Sequence, residues 1–255
     1  IVATHVAELI EQSFVELIGM WPQAPAGIFS AGLGRRDARA QVIFAGIQTV
    51  HNQVQRIGHV DVLMVDEAHL IPKSANTMYG RFIAALREIN PDLKILGLTA
   101  TPFRLDSGRL DEGDDRLFDR VVYTYGVGEG IRDGYLAPLS SKPTATAFDL
   151  DGVGRVGGDY NQGKLQKAVD KDSVNRAAAL EIVAKGRDRR SWLCFCAGVE
   201  HAIHIRDILR ERGIVAETVT GETPKEERRR ILEDFKAYRI QALTNNSVLT
   251  TGFNH

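Results

Sequence analysis

Apolar positions along this chain follow two periods. Val62, Leu63, Met64 and Val65 run without alternation into Asp66, Glu67, Ala68 and His69. A short unbroken apolar run predicts a strand buried on both faces, as in a parallel sheet. Lys94 to Leu98 is built the same way and ends in Thr99-Ala100-Thr101-Pro102, where the proline cannot continue a ladder. Val42 to Gly46 predicts a third strand and Ala26 to Ala31 a short one, with Ile1 to Ala3 as a strand stump. Between the strands the period changes to that of a helix. Val6, Leu9, Ile10, Phe14, Leu17 and Ile18 predict a helix with Thr4 as its N-cap, ended by Gly19 and Pro22. Met78, Phe82, Ile83, Leu86 and Ile89 predict another over about Thr77 to Ile89, with Asn90-Pro91-Asp92 as the following turn. Strand, helix, strand at this spacing is a βαβ unit.

The pattern then breaks and restarts. Gly32 to Arg36 reads as a turn, Leu105 to Asp119 as a polar, acidic, mobile loop, Arg120 to Tyr125 as a short strand and Gly126 to Leu136 as a short helix. The Ser-, Thr-, Gly- and Asp-rich stretch from Ser140 to Tyr160 marks a domain boundary. The expected domains are residues 1–138 and 139–255. In the second, Asn175 to Lys185 is amphipathic, with Ala178, Ile182 and Val183 inward. Ser191 to Cys196 reads as a buried strand, Val199 to Arg212 as a helix and Ile214 to Val219 as a strand. Thr220 to Pro224 forms a turn into a helix from Lys225 to Phe235, Ile240 to Thr244 is the next strand, and Val248 to Asn254 closes the chain. The fold class is α/β, two similar parallel-sheet layers in tandem.

Composition narrows the function. At 255 residues, 44% hydrophobic and 25% charged, the chain reads as globular, with no apolar run able to span a membrane and a cytoplasmic location expected. A net charge of −1 gives no global nucleic-acid signature, so any such site is a local patch. Arg35, Arg36 and Arg39 read more readily as a solvated face than as that patch. Cys194 and Cys196 sit too close in one apolar run for a strand-bridging disulfide or a four-ligand zinc site, and read as buried free thiols.

Asp66 and Glu67 carry the chemistry. Open α/β sheets bind ligands at the carboxyl ends of their strands. Two adjacent carboxylates there repel unless a cation intervenes, and Mg²⁺ with a nucleoside triphosphate is a common solution. The plainer alternative is a solvated acidic turn. The second strand, ending in Thr-Ala-Thr-Pro, weighs against it. Asp66-Glu67-Ala68-His69 followed by Thr99-Ala100-Thr101-Pro102 resembles motifs II and III of the superfamily 2 helicases, in a DEAH-box form.

The resemblance extends further. Thr4-His5 leading into a helix resembles motif Ia, and Gly46, Gln48 and Thr49 resemble the nucleic-acid-contacting segment that follows it. Phe195-Cys196 with Glu200-His201-Ala202 resembles motif IV. Thr220-Gly221 resembles the next strand-binding turn, and Thr250-Thr251-Gly252-Phe253 motif V. The order Gly97 to Leu105, Asp133 to Pro138, Val199 to Ala202 and Val248 to Phe253 looks like the RadD-type DNA repair helicases, with the XPB type and restriction-enzyme motors as wider neighbours. This implies two RecA-like domains with ATP and Mg²⁺ as cofactors and DNA, as a single strand or fork, as partner; RNA is the alternative. It implies Glu67 as general base, Asp66 as the Mg²⁺ ligand and His69 as the link to motif III. Thr99 and Thr101 are implied in coupling, and Gly252 and Asn254 near the nucleotide. Thr4, His5, Gln48, Thr49, Thr220, Gly221, Thr250 and Thr251 are implied on the nucleic-acid backbone. The family has Asp where Asn254 stands, which removes a charge from that position.

No Gly-x-x-x-x-Gly-Lys-[Ser/Thr] occurs, nor the Gln-x-x-Gly-Arg-x-x-Arg segment that carries the family's arginine finger. The expectation is that both flank this chain, with the first strand of domain 1 and the end of domain 2, and that the chain alone is inactive. Two other readings compete: a non-catalytic module that holds DNA or a partner, and the motor of a restriction system.

Overall fold

The structure is a computed structural model and describes residues 1–72, 74–104, 108–114, 116–156 and 159–249. The chain divides into two compact units, Ile1–Gly126 and Val127–His255.

In the first unit, β1 (Val2–Thr4) leads to α1 (Ala7–Met20), β2 (Ala26–Ser30) and β3 (Arg35–Arg36). Then come β4 (Val42–Gly46), α2 (Ile47–Val50), α3 (Val54–Ile57), β5 (Val62–Asp66), α4 (Met78–Ile89) and β6 (Lys94–Leu98). These strands form one six-stranded sheet in the order β3-β2-β4-β1-β5-β6. Every pairing is parallel except the short β2–β3 ladder. Parallel neighbours need crossover connections, and these put helices on both faces of the sheet.

One face is fully covered. Ala3, Phe29, Ile43, Ala45, Leu63 and Val65 pack there with Val50, Val54, Phe82 and Leu86 from α2, α3 and α4. Thr77 caps α4 by accepting a hydrogen bond from the Gly80 N–H through its hydroxyl at 3.2 Å. The opposite face is covered by α1, whose Ile10 and Phe14 pack with Ile28 and Phe44. That cover stops short of β5 and β6. Val62 and Leu98 are each 43% exposed, so β5 is buried on one face and not on both as its apolar run predicts. An apolar run is equally compatible with a sheet face left open, because hydropathy does not record which helix reaches it.

Other local expectations are corrected. Thr4 is not the N-cap of α1; it ends β1, 3% exposed, and Val6 occupies the cap position. Arg35 and Arg36 form β3 and not a turn, Arg35 paired with Asp37 at 2.8 Å and stacked over Phe14, Arg36 stacked over Phe29. Residues 120–125 form no strand. β7 (Phe103–Arg104), just before the expected polar loop, pairs antiparallel with β8 (Gly108–Arg109) inside it, where Leu110 is buried and Phe118 packs onto the main core.

The second unit contains α5 (Val127–Arg132), β9 (Arg155–Val156), β10 (Asp159–Tyr160), α6 (Gln162–Val169), α7 (Asp172–Gly186), β11 (Trp192–Phe195), α8 (Val199–Glu211), β12 (Ala216–Val219), α9 (Lys225–Lys236) and β13 (Ala242–Asn245). Its parallel sheet has the order β11-β13-β12, which puts the last strand in the middle. Ala242 and Leu243 are accordingly fully buried. Ala179, rather than Ala178, is the alanine of α7 that enters the core. Phe195 at the end of β11 is 59% exposed, so this strand is not buried along its length. Cys194 and Cys196 are free and half-buried; burial pushes their thiols up to about 11 and about 12, which keeps them protonated and unreactive.

Candidate active site at the carboxyl ends of β5 and β6

Strand β5 ends at Asp66, and the chain turns sharply. Glu67 has φ 52° and ψ 48°, the left-handed region that a side chain with Cβ rarely adopts. Asp66 Oδ1 accepts the Glu67 N–H at 2.9 Å, and the turn closes as a 3₁₀ helix over Ala68–Leu70. The Leu70 N–H donates to the Glu67 carbonyl at 2.8 Å and the Ile71 N–H to the Ala68 carbonyl at 3.2 Å. Ala68 is fully buried beneath the turn. The strain therefore sits on the second carboxylate of the pair, held by bonds on either side of it.

The next strand end meets this turn. His69 Nδ1 lies 2.9 Å from Thr99 Oγ1 and 3.4 Å from Glu67 Oε2. The Thr99 hydroxyl gives its one proton to the Thr101 carbonyl, so Nδ1 is the donor to Thr99 in this arrangement. Thr99 Oγ1 also accepts the Thr101 N–H at 3.0 Å and donates to the Thr101 carbonyl at 3.2 Å. Glu67, His69, Thr99 and Thr101 thus form one connected chain of polar contacts. Beneath them, Tyr79 of α4 is pushed up to about 12, first by burial and then by the Asp66 charge, and its phenol stays neutral. Gly97 of β6 is sterically required: a Cβ there falls 2.4 Å from Phe118 Cζ and 2.8 Å from Ala68 Cβ.

Along the same sheet edge, β1 and β4 end side by side, with Thr4 in register with Gly46. The Gln48 side chain donates to the His5 carbonyl at 3.0 Å, and Thr49 Oγ1 accepts the Ala31 N–H at 2.9 Å. Thr4, His5, Gln48 and Thr49 are therefore brought together, but the Gln48 and Thr49 side chains brace the loops and the Thr4 hydroxyl is buried.

In the second unit Thr220 is buried and its hydroxyl accepts the Glu222 N–H at 3.2 Å, while the Thr220 N–H donates to the Thr223 hydroxyl at 2.9 Å. Gly221 is exposed at the tip of that turn. His201 is buried, its Nδ1 accepting the Ala197 N–H at 3.2 Å, and burial lowers its pKa. Thr250, Thr251, Gly252 and Asn254 lie outside the described residues.

The residues that sequence reasoning missed are Arg104, whose Nε donates to the His69 carbonyl at 2.9 Å, and Phe118 against Gly97. Arg104 stands in the quoted run after Thr101-Pro102, but nothing in hydropathy directs it back to His69.

Two parallel-sheet units in one chain, with the polar ends of adjacent strands in contact, define the tandem RecA-like class. The structure of S. cerevisiae Dbp5 bound to RNA and ADP BeF3 is similar at TM-score 0.53 and 15% identity, covering 99% of this chain and 59% of that one. A variant Dbp5 bound to a Gle1 variant and IP6 is similar at TM-score 0.58 and 16% identity, covering 99% and 58%. Residues 1–104 match the family described as type III restriction enzyme, res subunit, and residues 175–255 match the helicase conserved C-terminal domain. A candidate ATP-dependent helicase of Saccharomyces cerevisiae, IRC3, is 24% identical over 260 residues, covering 99% of this chain and 36% of that protein. A candidate mitochondrial ATP-dependent helicase of Schizosaccharomyces pombe, irc3, is 29% identical over 195 residues, covering 75% and 30%. The type I restriction enzyme EcoAI endonuclease subunit of Escherichia coli is 24% identical over 217 residues, covering 75% and 26%. These matches support a superfamily 2 helicase. The chain spans between 26% and 36% of the length of these curated relatives. No helix among the described residues is long and apolar enough to cross a membrane.

Proposed function

We propose that this chain is part of the motor core of an ATP-dependent DNA helicase or translocase, of RadD-like type and acting in repair or recombination. The observation that carries the reading is the junction of β5 and β6: a strained Glu67 joined through His69 to Thr99. Left-handed backbone at a non-glycine residue is costly and concentrates at functional sites. The resemblance gives the Glu67 carboxylate the role of general base.

Among the described residues no group of three or more His, Cys, Asp or Glu could hold a metal ion by itself. By the resemblance Asp66 would hold Mg²⁺, an ion that takes one or two carboxylates and keeps much of its hydration. Bound at Asp66, Mg²⁺ would neutralise the charge that develops on the transferred phosphoryl group of ATP. Glu67 takes the proton of the attacking water. His69 holds the Glu67 carboxylate on one side and Thr99 on the other, and Thr99 and Thr101 pass the state of the site onward. Thr4, His5, Gln48 and Thr49 meet the nucleic-acid backbone at the ends of β1 and β4, through main-chain groups where Thr4 is buried. The resemblance assigns the same backbone role to Thr220, Gly221, Thr250 and Thr251, and a role toward the nucleotide to Gly252 and Asn254. The restriction-subunit matches favour a second reading, the motor of a restriction system, with the same chemistry.

The test is Glu67→Gln in the complete protein. The amide keeps the shape and loses the base, so nucleotide binding should persist while turnover falls about 10²–10⁴-fold. Asp66→Asn should weaken Mg²⁺-dependent nucleotide binding as well. Wild-type turnover in Glu67→Gln would overturn the assignment. The 255-residue chain alone, without the phosphate cradle, should show no ATPase above background.

A further inference from the structure

We propose that Arg104 is a positioning residue that holds the turn carrying Glu67 and His69 in register with the Thr99–Thr101 segment. The kinetic part of this rests on the ATPase reading above. The geometry does not.

The 3₁₀ turn uses the carbonyls of Glu67 and Ala68 internally, through the Leu70 and Ile71 N–H groups. The next acceptor, the His69 carbonyl, receives the Arg104 Nε at 2.9 Å. This is a C-terminal cap supplied by a cation, on the end of a turn where exposed carbonyls favour positive charge. The guanidinium is half-buried, and its Nη2 is buried with no partner among the described residues. The Nε bond and the backbone hold the side chain over the turn. That backbone is fixed: Arg104 pairs with Gly108 in the β7–β8 ladder, and the Leu110 N–H donates to the Pro102 carbonyl at 3.0 Å.

The segment from Thr99 to Arg104 therefore grips His69 twice. Its first residue takes the imidazole at 2.9 Å and its last takes the main-chain carbonyl at 2.9 Å. One contact alone would let the imidazole rotate or the turn slide. Both together make the turn follow the segment as a unit, and Glu67 with it, since its carbonyl is bonded to Leu70 within that turn.

The experiment reads the His69 Cε1–H resonance and the exchange rate of the Leu70 amide by NMR in this chain, for wild type, Arg104→Ala and Arg104→Lys. Alanine should shift the His69 resonance and speed Leu70 exchange. Lysine keeps the charge and one donor and should fall between alanine and wild type. If the alanine variant does not fold, lysine carries the test through the same shift. In the complete protein, alanine should lower kcat by about ten- to hundredfold, the loss typical of a hydrogen bond to a charged group, with KM for ATP within about twofold. A folded variant with the wild-type His69 resonance overturns the proposal, as does a lysine variant that loses thermal stability as alanine does with no shift at His69. A wild-type protein without ATPase would overturn the proposed function and leave the NMR result to decide Arg104.

Discussion

His69 and Thr99 join two strand ends that the chain makes separately: the imidazole Nδ1 stands 2.9 Å from the threonine hydroxyl. The same nitrogen stands 3.4 Å from the Glu67 carboxylate, so the one imidazole touches both the acid and the threonine.

Because the contact is shared, its two sides should not be additive. His69→Ala and Thr99→Val, singly and together, form a double-mutant cycle. Contacting residues in one network couple by about 0.5–3 kcal/mol. A cycle by urea denaturation or by turnover that sums to within a few tenths of a kcal/mol would refute a functional pair.

The left-handed backbone at Glu67 has a separate cost. Glu67→Gly and Glu67→Ala both remove the carboxylate and differ by one Cβ. The Cβ penalty in this region is about 1–2 kcal/mol, so the glycine variant should be the more stable of the two although both lose turnover. Chemical denaturation of the pair checks it; an alanine variant of equal or greater stability would contradict the strain.

Gly97 leaves room for Phe118 and Ala68, at 2.4 and 2.8 Å from where its Cβ would stand. Gly97→Ala should destabilise the first unit by about 1–3 kcal/mol, the usual range for overpacking. Phe118→Leu in the same chain should recover part of this, since the ring tip can retreat but the Ala68 Cβ cannot. Calorimetry of the single and double variants reads the order.

A histidine–aspartate pair should give the second unit a pH-dependent stability. His204 Nδ1 meets Asp170 at 2.8 Å, and the Asn175 side chain donates to the same carboxylate at 2.7 Å. The bond to Asp170 raises His204 above the ordinary histidine value, with Glu200 and Asp207 adding to it. Burial alone would raise Asp170, but the bonds from His204 and Asn175 outweigh it and lower its pKa. For His204 the stabilisation is full below the unfolded-state pKa and is lost as pH rises through the folded one. For Asp170 it is present above the unfolded value and is lost as pH falls through the folded one. His204→Gln should therefore cost more at pH 5.5 than at pH 8.5. His204 is half exposed, so the difference should stay below about 1 kcal/mol. Equal urea midpoint shifts at the two pH values would exclude the pair as a contributor.

Nucleic-acid binding by the complete protein should rest on phosphate contacts. Affinity should fall steeply as salt rises and vary little with base sequence. Fluorescence titrations at several salt concentrations read the slope; a flat response would point to a protein partner in place of nucleic acid.

The core strands and the long helices were legible because burial and period are local properties. The runs Val42–Gly46, Val62–Asp66 and Lys94–Leu98 are strands, and α4, α8 and α9 lie where their apolar spacing places them. The short helices α2, α3 and α6 were not legible, since so few turns leave no period to read. Residues 120–125 carry strand-forming Val and Tyr yet form none, because a strand needs a partner edge and β propensity does not supply one.

The sequence by itself determined which residues end the strands: Asp66 and Glu67 on one, Thr99 and Thr101 on the next. That follows from chain order alone. The left-handed turn at Glu67, the closing of His69 onto Thr99, the return of Arg104 to the His69 carbonyl and the fit of Phe118 over Gly97 were decided only by the tertiary structure. The last three are contacts between segments whose separation in sequence says nothing about distance in space. The contact of His69 with Thr99 forms because parallel pairing of β5 with β6 sets their carboxyl ends side by side, with Asp66 opposite Leu98.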